Sequence, residues 1–150
     1  MEKINREESP FTQIHHLGVV VEDMDKAVKH YESLGIGSFE PLKLSPAEGQ
    51  LRGEPVTSTP IISMGEVGGV IVELLQPTED KSIIKEFYEN KGEGIHHIAF
   101  LVDDIDKETD KLVKKGLEVV FHQKFGQGGC TFFDTGKVGG VFIELFCPPS

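Results

Sequence analysis

Two histidine pairs and two lone glutamates stand out in this chain as groups able to hold a metal ion or move a proton. IHHLGVV begins at Ile14 and IHHIAFL at Ile95, and each half of the chain closes on a glutamate set in an apolar run, Glu73 in VIVELLQ and Glu144 in VFIELFC. Imidazoles and carboxylates hold first-row divalent cations and, suitably placed, act as general acids and bases. A carboxylate inside an apolar strand is costly unless it is paired, solvated or metal-bound. On a regular strand neighbouring side chains point to opposite faces. His15 then falls in phase with Leu17, Val19 and Val21, and His96 with Ile98, Phe100 and Val102. His16 and His97 fall in phase with Gly18 and Ala99, small residues that leave room above the sheet. His16, Glu73, His97 and Glu144 are therefore the candidate metal ligands, and His15 and His96 are read as packing or supporting residues. The plainer readings are a half-exposed histidine at a strand start and a glutamate on a solvent-facing edge, which duplication would copy into both halves.

The segments that carry these side chains are written as a repeat. Residues 14–36 lie without a gap over 95–117, matching both histidines, Asp23 with Asp104, Asp25 with Asp106, Lys26 with Lys107 and Gly35 with Gly116. GGVIVELLQP (68–77) lies over GGVFIELFCP (139–148), so each half runs from His-His to Glu-Leu in the same order. Residues 14–21 are β-branched and apolar, as a strand requires. Asp23 or Asp25 can cap a helix carrying Val28, Tyr31 and Leu34 at helical spacing, which Gly35 and Gly37 stop. Residues 38–44 form a second strand, and strands near 61–65 and 69–75 follow. The stretch 45–60, with Pro46, Gly49, Gly53, Pro55 and Pro60, reads as a loop or irregular edge. Residues 79–92 make a linker helix. FGQGG (125–129) and TGKVGG (135–140) supply turns in the second half, although the glycines at 126, 128 and 129 would also let backbone amides approach an anion. The expectation is an α+β fold of two tandem βαβββ modules, 14–77 and 94–148, in one domain spanning 1–150.

The 150 residues carry a formal net charge of −10 with no basic block, which disfavours nucleic acid and anionic membranes as partners. Apolar content of 38% and charge of 27% are ordinary for a soluble protein. MEKINREESPFTQ lacks the apolar centre of a signal peptide, and no apolar run is long enough to span a bilayer. Cys130 and Cys147 form neither a disulfide framework nor a short-spaced zinc motif, so reduced thiols and a cytoplasmic location are expected. His122 reads as structural or exposed, and Cys130 as a buried inert thiol.

With the repeat and its residues in view, the chain resembles the vicinal oxygen chelate superfamily, in which paired βαβββ modules curl around a divalent metal. Within it the chain is most similar to the methylmalonyl-CoA epimerases, through SIIKEFYENKGE (82–93), GIHHIAFLVDDIDK (94–107) and FGQGGCTFFDTGKVGGVFIEL (125–145). The resemblance covers almost all of 14–148. It implies a curled, half-barrel mixed sheet and places the family's metal ligands on His16, Glu73, His97 and Glu144. Some epimerases have Gln where Glu73 stands. Some also carry a catalytic Glu on an inner strand of the first module, where TSTPII (57–62) holds no carboxylate.

The implied enzyme is an isomerase acting on an acyl-CoA. A divalent cation, Co2+ favoured and Zn2+, Ni2+ or Mn2+ also accepted by such ligands, would chelate the thioester and carboxylate oxygens of methylmalonyl-CoA and stabilise the enolate formed by α-proton abstraction. Reprotonation on the other face interconverts the 2R and 2S forms, with Glu144 as one base and Glu73 as the other. Glu48 and Glu54 are further candidates if the 45–60 segment folds over the site. No organic cofactor is implied, and a homodimer is expected. The alternatives are a glyoxalase I-like lactoylglutathione lyase and a metal-free, small-molecule (drug) binding protein on the same fold. An Fe(II) extradiol dioxygenase would need only two His and one carboxylate. Only two arginines, Arg6 and Arg52, are present to grip glutathione carboxylates, which weighs against the lyase.

Overall fold

The computed structural model describes residues 2–135 and 138–149. Its elements run β1 (Ile14–Val20), α1 (Met24–Ser33), β2 (Phe39–Leu42), β3 (Ala47–Leu51), β4 (Glu54–Ser58), β5 (Ile61–Val67), β6 (Val70–Gln76), α2 (Ile83–Lys91), β7 (Gly94–Leu101), α3 (Ile105–Lys114), β8 (Glu118–Phe125), β9 (Gly128–Asp134) and β10 (Phe142–Cys147). The repeat is visible in how the helices start. Asp23 accepts from the Lys26 amide and Asp104 from the Lys107 amide, each at 3.1 Å, so the aligned aspartates cap α1 and α3. Ser82 caps the linker helix α2 in the same way, through the Lys85 amide. Beyond α1, Gly35 takes φ = 81°, which lets the chain turn out of the helix. Gly126 opens the two-residue β8–β9 turn at φ = 59°, so this glycine run makes a hairpin. Gly136 and Lys137 of the turn expected at 135–140 lie outside the described residues.

All ten strands join one sheet in the order β2-β5-β6-β1-β7-β10-β9-β8-β3-β4. The two halves meet where β1 pairs antiparallel with β7, and each half then fans outward with its Glu-bearing strand parallel to its His-bearing strand. The stretch 45–60, expected as a loop or irregular edge, is at the edge but regular: it forms the β3–β4 hairpin, added to the far side of the second half by pairing Gln50 with His122 and Leu51 with Phe121. Its glycines and prolines have strand roles. Pro55 lies on the outermost strand, where no ladder donor is needed on the open side. Gly49 lies under the Phe121 ring, where a Cβ would approach within 2.7 Å of it. Arg52 and Gly53, both at positive φ (50° and 81°), make the tight turn.

This insertion dictates the curl. Nine gaps of about 4.8 Å would hold the outer strands of a flat ten-stranded sheet roughly 40 Å apart. Yet β4 leads into β5, eight strands away, through residues 59 and 60 alone, and β2 leads into β3 through 43–46. Two linking residues reach at most about 11 Å. The sheet must bend until its edges nearly meet.

The concave interior is apolar and aromatic: Val20, Leu51, Val56, Ile62, Leu75, Phe121, Cys130 and Phe132 pack with Ile83, Ile84 and Phe87 of α2. On the convex side α1 covers Phe39 and Leu74, and α3 covers Phe133 and Leu145. Among the described residues no helix is long and apolar enough to cross a membrane.

Candidate metal centre

The four candidate ligands come together through two rows of ladder partners across the module junction. In one row Gly18 of β1 lies opposite both Glu73 of β6 and His97 of β7. In the other, Ala99 of β7 lies opposite both His16 of β1 and Glu144 of β10. Each histidine and glutamate therefore stand two strands apart with a small residue between them, and both lean over it. The clearance is real at Gly18, where an added Cβ would collide with the His97 ring. The small in-phase neighbours expected from the sequence are the floor of the site.

His16 Nε2 lies 3.5 Å from Glu73 Oε1 and 3.2 Å from Glu144 Oε1, and His97 Nε2 lies 3.2 and 3.1 Å from the same two oxygens. The two Nε2 atoms are 3.2 Å apart. His16, His97 and Glu144 each offer a ligand atom within 4.8 Å of the others. All four side chains are buried, and among the described residues Glu73 and Glu144 are the only buried carboxylates. Burial works against charge on His16, but contact with Glu144 and Glu73 outweighs it and raises its pKa. Burial also opposes the charge on Glu73, and His97 and His16 outweigh it and hold its pKa down. Glu144 Oε1 lies close to both imidazoles yet accepts no well-formed hydrogen bond. An acceptor-rich cluster with an unsatisfied oxygen at its middle fits a divalent cation.

One sequence expectation fails in an informative way. Regular alternation would put His15 and His96 on the outer face. The β1–β7 register instead skips one residue on β1 between Ile14 and His16 and one on β7 between Ile95 and His97. His15 and His96 are the extra residues of two β-bulges, and each bulge turns both histidines of its pair inward. His15 Nδ1 lies 2.8 Å from His16 Nδ1, and His96 Nδ1 lies 2.8 Å from His97 Nδ1. His15 stacks on Phe146, while His96 is enclosed by Phe87, Phe132 and Phe142. Burial first, and then the adjacent His97, hold His96 well below the ordinary histidine range, so it is neutral. The aromatic lining and the α2 plug also escaped the sequence reading; the phase of Phe142 and Phe146 with Glu144 was the available signal.

The other candidates fall elsewhere. Glu48 and Glu54 are exposed on the hairpin, whose inward residues are Gly49, Leu51 and Val56. His122 is half-buried and bonds Thr131, which bonds Thr109 of α3, a packing role. Burial, then the charges of Glu144 and Glu73, push the Cys130 thiol well above its usual range, so it is inert at neutral pH. A cleft of about 340 Å³, lined in part by Arg52, Glu86, Lys91, Phe87 and Phe142, opens beside α2 and shares its two phenylalanines with the His96 enclosure. A larger cleft of about 940 Å³ lies between α1 and the β2–β5 edge and contains none of the four residues.

The profile of the Glyoxalase/Bleomycin resistance protein/Dioxygenase superfamily matches residues 15–133. Mitochondrial methylmalonyl-CoA epimerase of Bos taurus is 30% identical over 138 residues, 89% of this chain and 73% of that protein. An uncharacterized protein of Bacillus subtilis is 26% identical over 143 residues, 91% of this chain and 92% of its own length. A Streptomyces coelicolor methylmalonyl-CoA epimerase solved with 2-nitronate-propionyl-CoA superposes with a TM-score of 0.69 at 25% identity, over 91% of this chain and 94% of that one. The doubled module, the curled sheet and the profile agree: the chain belongs to the glyoxalase/bleomycin resistance protein/dioxygenase superfamily, the vicinal oxygen chelate fold, with methylmalonyl-CoA epimerases among its relatives.

Proposed function

We propose that the chain, one domain built of modules 14–77 and 94–148, is a metal-dependent epimerase of methylmalonyl-CoA. The observation that carries this reading is the meeting of His16, His97 and Glu144 within one coordination distance, with Glu73 within 3.5 Å of both imidazoles, in a chain 30% identical to a methylmalonyl-CoA epimerase. The two imidazoles and two carboxylates would hold a divalent cation, which when bound supplies Lewis-acid stabilisation of negative charge on a thioester oxygen.

The chain's own residues move the proton. Epimerisation breaks the Cα–H bond on one face and remakes it on the other, so it needs a proton acceptor and a donor on opposite sides. Glu73 and Glu144 stand at equivalent places in the two halves. In one direction Glu144, as the carboxylate, takes the α-proton as the electron pair moves toward the thioester carbonyl, and Glu73, which must start that turnover protonated against the downward pull of His97 and His16, gives its proton to the opposite face and is left as the carboxylate; the reverse reaction exchanges the roles. No carboxylate from 57–62 shares the task, because Ile62 and Met64 are the β5 residues packed on that wall. The apolar enclosure by Phe132, Phe142, Phe146 and α2 excludes water from the carbanionic charge. Arg52, paired with Glu86, and Lys91 line the cleft shared with Phe87 and Phe142, and this reading assigns them to the phosphates of a CoA tail.

The test is solvent deuterium. Cobalt-loaded protein incubated in D2O with (2S)-methylmalonyl-CoA should place deuterium at C2 and bring the two epimers to equal amounts, with Glu144→Gln reducing the rate at least about 100-fold. Production of lactoylglutathione from methylglyoxal and glutathione, with no exchange into the acyl-CoA, would overturn the reading.

A further inference from the structure

The first histidine of each pair is left unused by the chemistry above, and it is placed too similarly in the two halves to be incidental packing. Each is the extra residue of a bulge, each directs Nδ1 at the Nδ1 of its neighbour at 2.8 Å, and each ring pair meets edge to face with centroids 5.1 Å apart. Two ring nitrogens at that distance share one proton. If the outer histidine owns it, the inner Nδ1 is the acceptor and the inner Nε2 carries a hydrogen pointing into the cluster, where it blocks a cation. If the inner histidine owns it, its Nε2 presents a lone pair to the cluster.

His96 shows that such an arrangement is maintained at a cost. It is fully buried, its Nε2 makes no well-formed hydrogen bond and has only a weak contact with the Ile83 backbone of α2, and Phe87, Phe132 and Phe142 surround it. A phenylalanine would suit that enclosure and leave no polar atom unsatisfied. What phenylalanine lacks is an acceptor for His97. His15 differs in being only partly buried, so water can reach its ring.

We infer that His15 and His96 are positioning residues: each accepts the Nδ1 proton of its neighbour, His16 or His97, and so fixes the Nε2 lone pair of that neighbour on the centre for a divalent cation. This rests on the metal reading above. A hydrogen-bonded partner behind a ligating imidazole sets its tautomer and orientation and is generally worth about 10- to 100-fold in metal affinity. The sealed member, His96, carries the larger share, because water can replace His15.

The experiment measures zinc affinity of the full chain by chelator competition, beside the melting temperature of the metal-free protein. His96→Phe should bind zinc about 10- to 100-fold more weakly while melting no lower than the unmodified chain. His96→Gln, whose amide oxygen can accept from His97 Nδ1, should recover most of the affinity, and His15→Phe should lose less than His96→Phe. Nitrogen-15 NMR of the zinc-loaded unmodified chain, which needs no variant, should place protons on Nδ1 of His16 and His97. Zinc binding by His96→Phe within about threefold of the unmodified chain, or Nδ1 protons found on His15 and His96, would overturn the positioning role alone. Failure of the unmodified chain to bind zinc would overturn the metal reading and this one together.

Discussion

Gly18 and Ala99 decide whether four side chains from four strands can meet. Each separates a histidine from a glutamate in a ladder row, and these side chains close over it because almost nothing stands there. The two are not interchangeable: Ala99 fits its methyl at full burial, whereas a methyl on Gly18 would collide with the His97 ring. Gly18→Ala should therefore force His97 off the centre. Overpacking of this kind costs about 1–3 kcal/mol, to be read from urea denaturation. The same variant should take up at least about tenfold less cobalt or zinc, whereas Ala99→Gly should keep its metal.

At the scale of elements, aligned residues do aligned work. Asp23 and Asp104 cap α1 and α3 with the same hydrogen bond, on helices that back the sheet from the convex side, away from the centre. Asp104→Ala should cost about 1 kcal/mol of stability and leave metal content unchanged. Chemical denaturation and metal analysis of one preparation check both halves of that statement. Where the halves differ, the difference has a function. The first half carries the β3–β4 hairpin between its second and third core strands, and the hairpin closes the sheet by docking on β8 of the other half. Arg52, at its turn, meets Glu86 of α2 at 3.2 Å. The hairpin and the linker helix thus cover the concave side together.

At the scale of the whole molecule, the centre joins the halves. One half supplies His16 and Glu73, the other His97 and Glu144, and the rows that carry them run across the β1–β7 junction. A cation bound there would bind the assembled pair of halves and not the unfolded chain, so it stabilises by mass action. At a hundred times its dissociation constant the gain is about 2.7 kcal/mol, which for a chain of this size raises the melting temperature by roughly 5–10 °C. Differential scanning fluorimetry with Co2+ or Zn2+ should show that rise, and EDTA should reverse it. Glu73→Gln, which removes a charged donor from one half alone, should shrink it.

The doubled architecture, the linker helix and the identity of the four residues that meet at the centre were legible in the chain, because these rest on local pattern: repeated spacing, apolar period and small in-phase neighbours; the pattern left α1's cap open between Asp23 and Asp25, and the structure shows Asp23. The sequence also placed the turn at 126–127 within its glycine run. It could not determine that His15 and His96 face inward, since a bulge exists only relative to the partner strand whose register it breaks. Nor could it turn the glycines and prolines of 45–60 into a hairpin. Those residues lower the local preference for a strand, and only pairing with β8, some seventy residues further along the chain, makes up for that loss. Which groups stand behind His16 and His97, and which wall encloses them, follows only from the folded chain, because both depend on contacts between segments far apart in sequence.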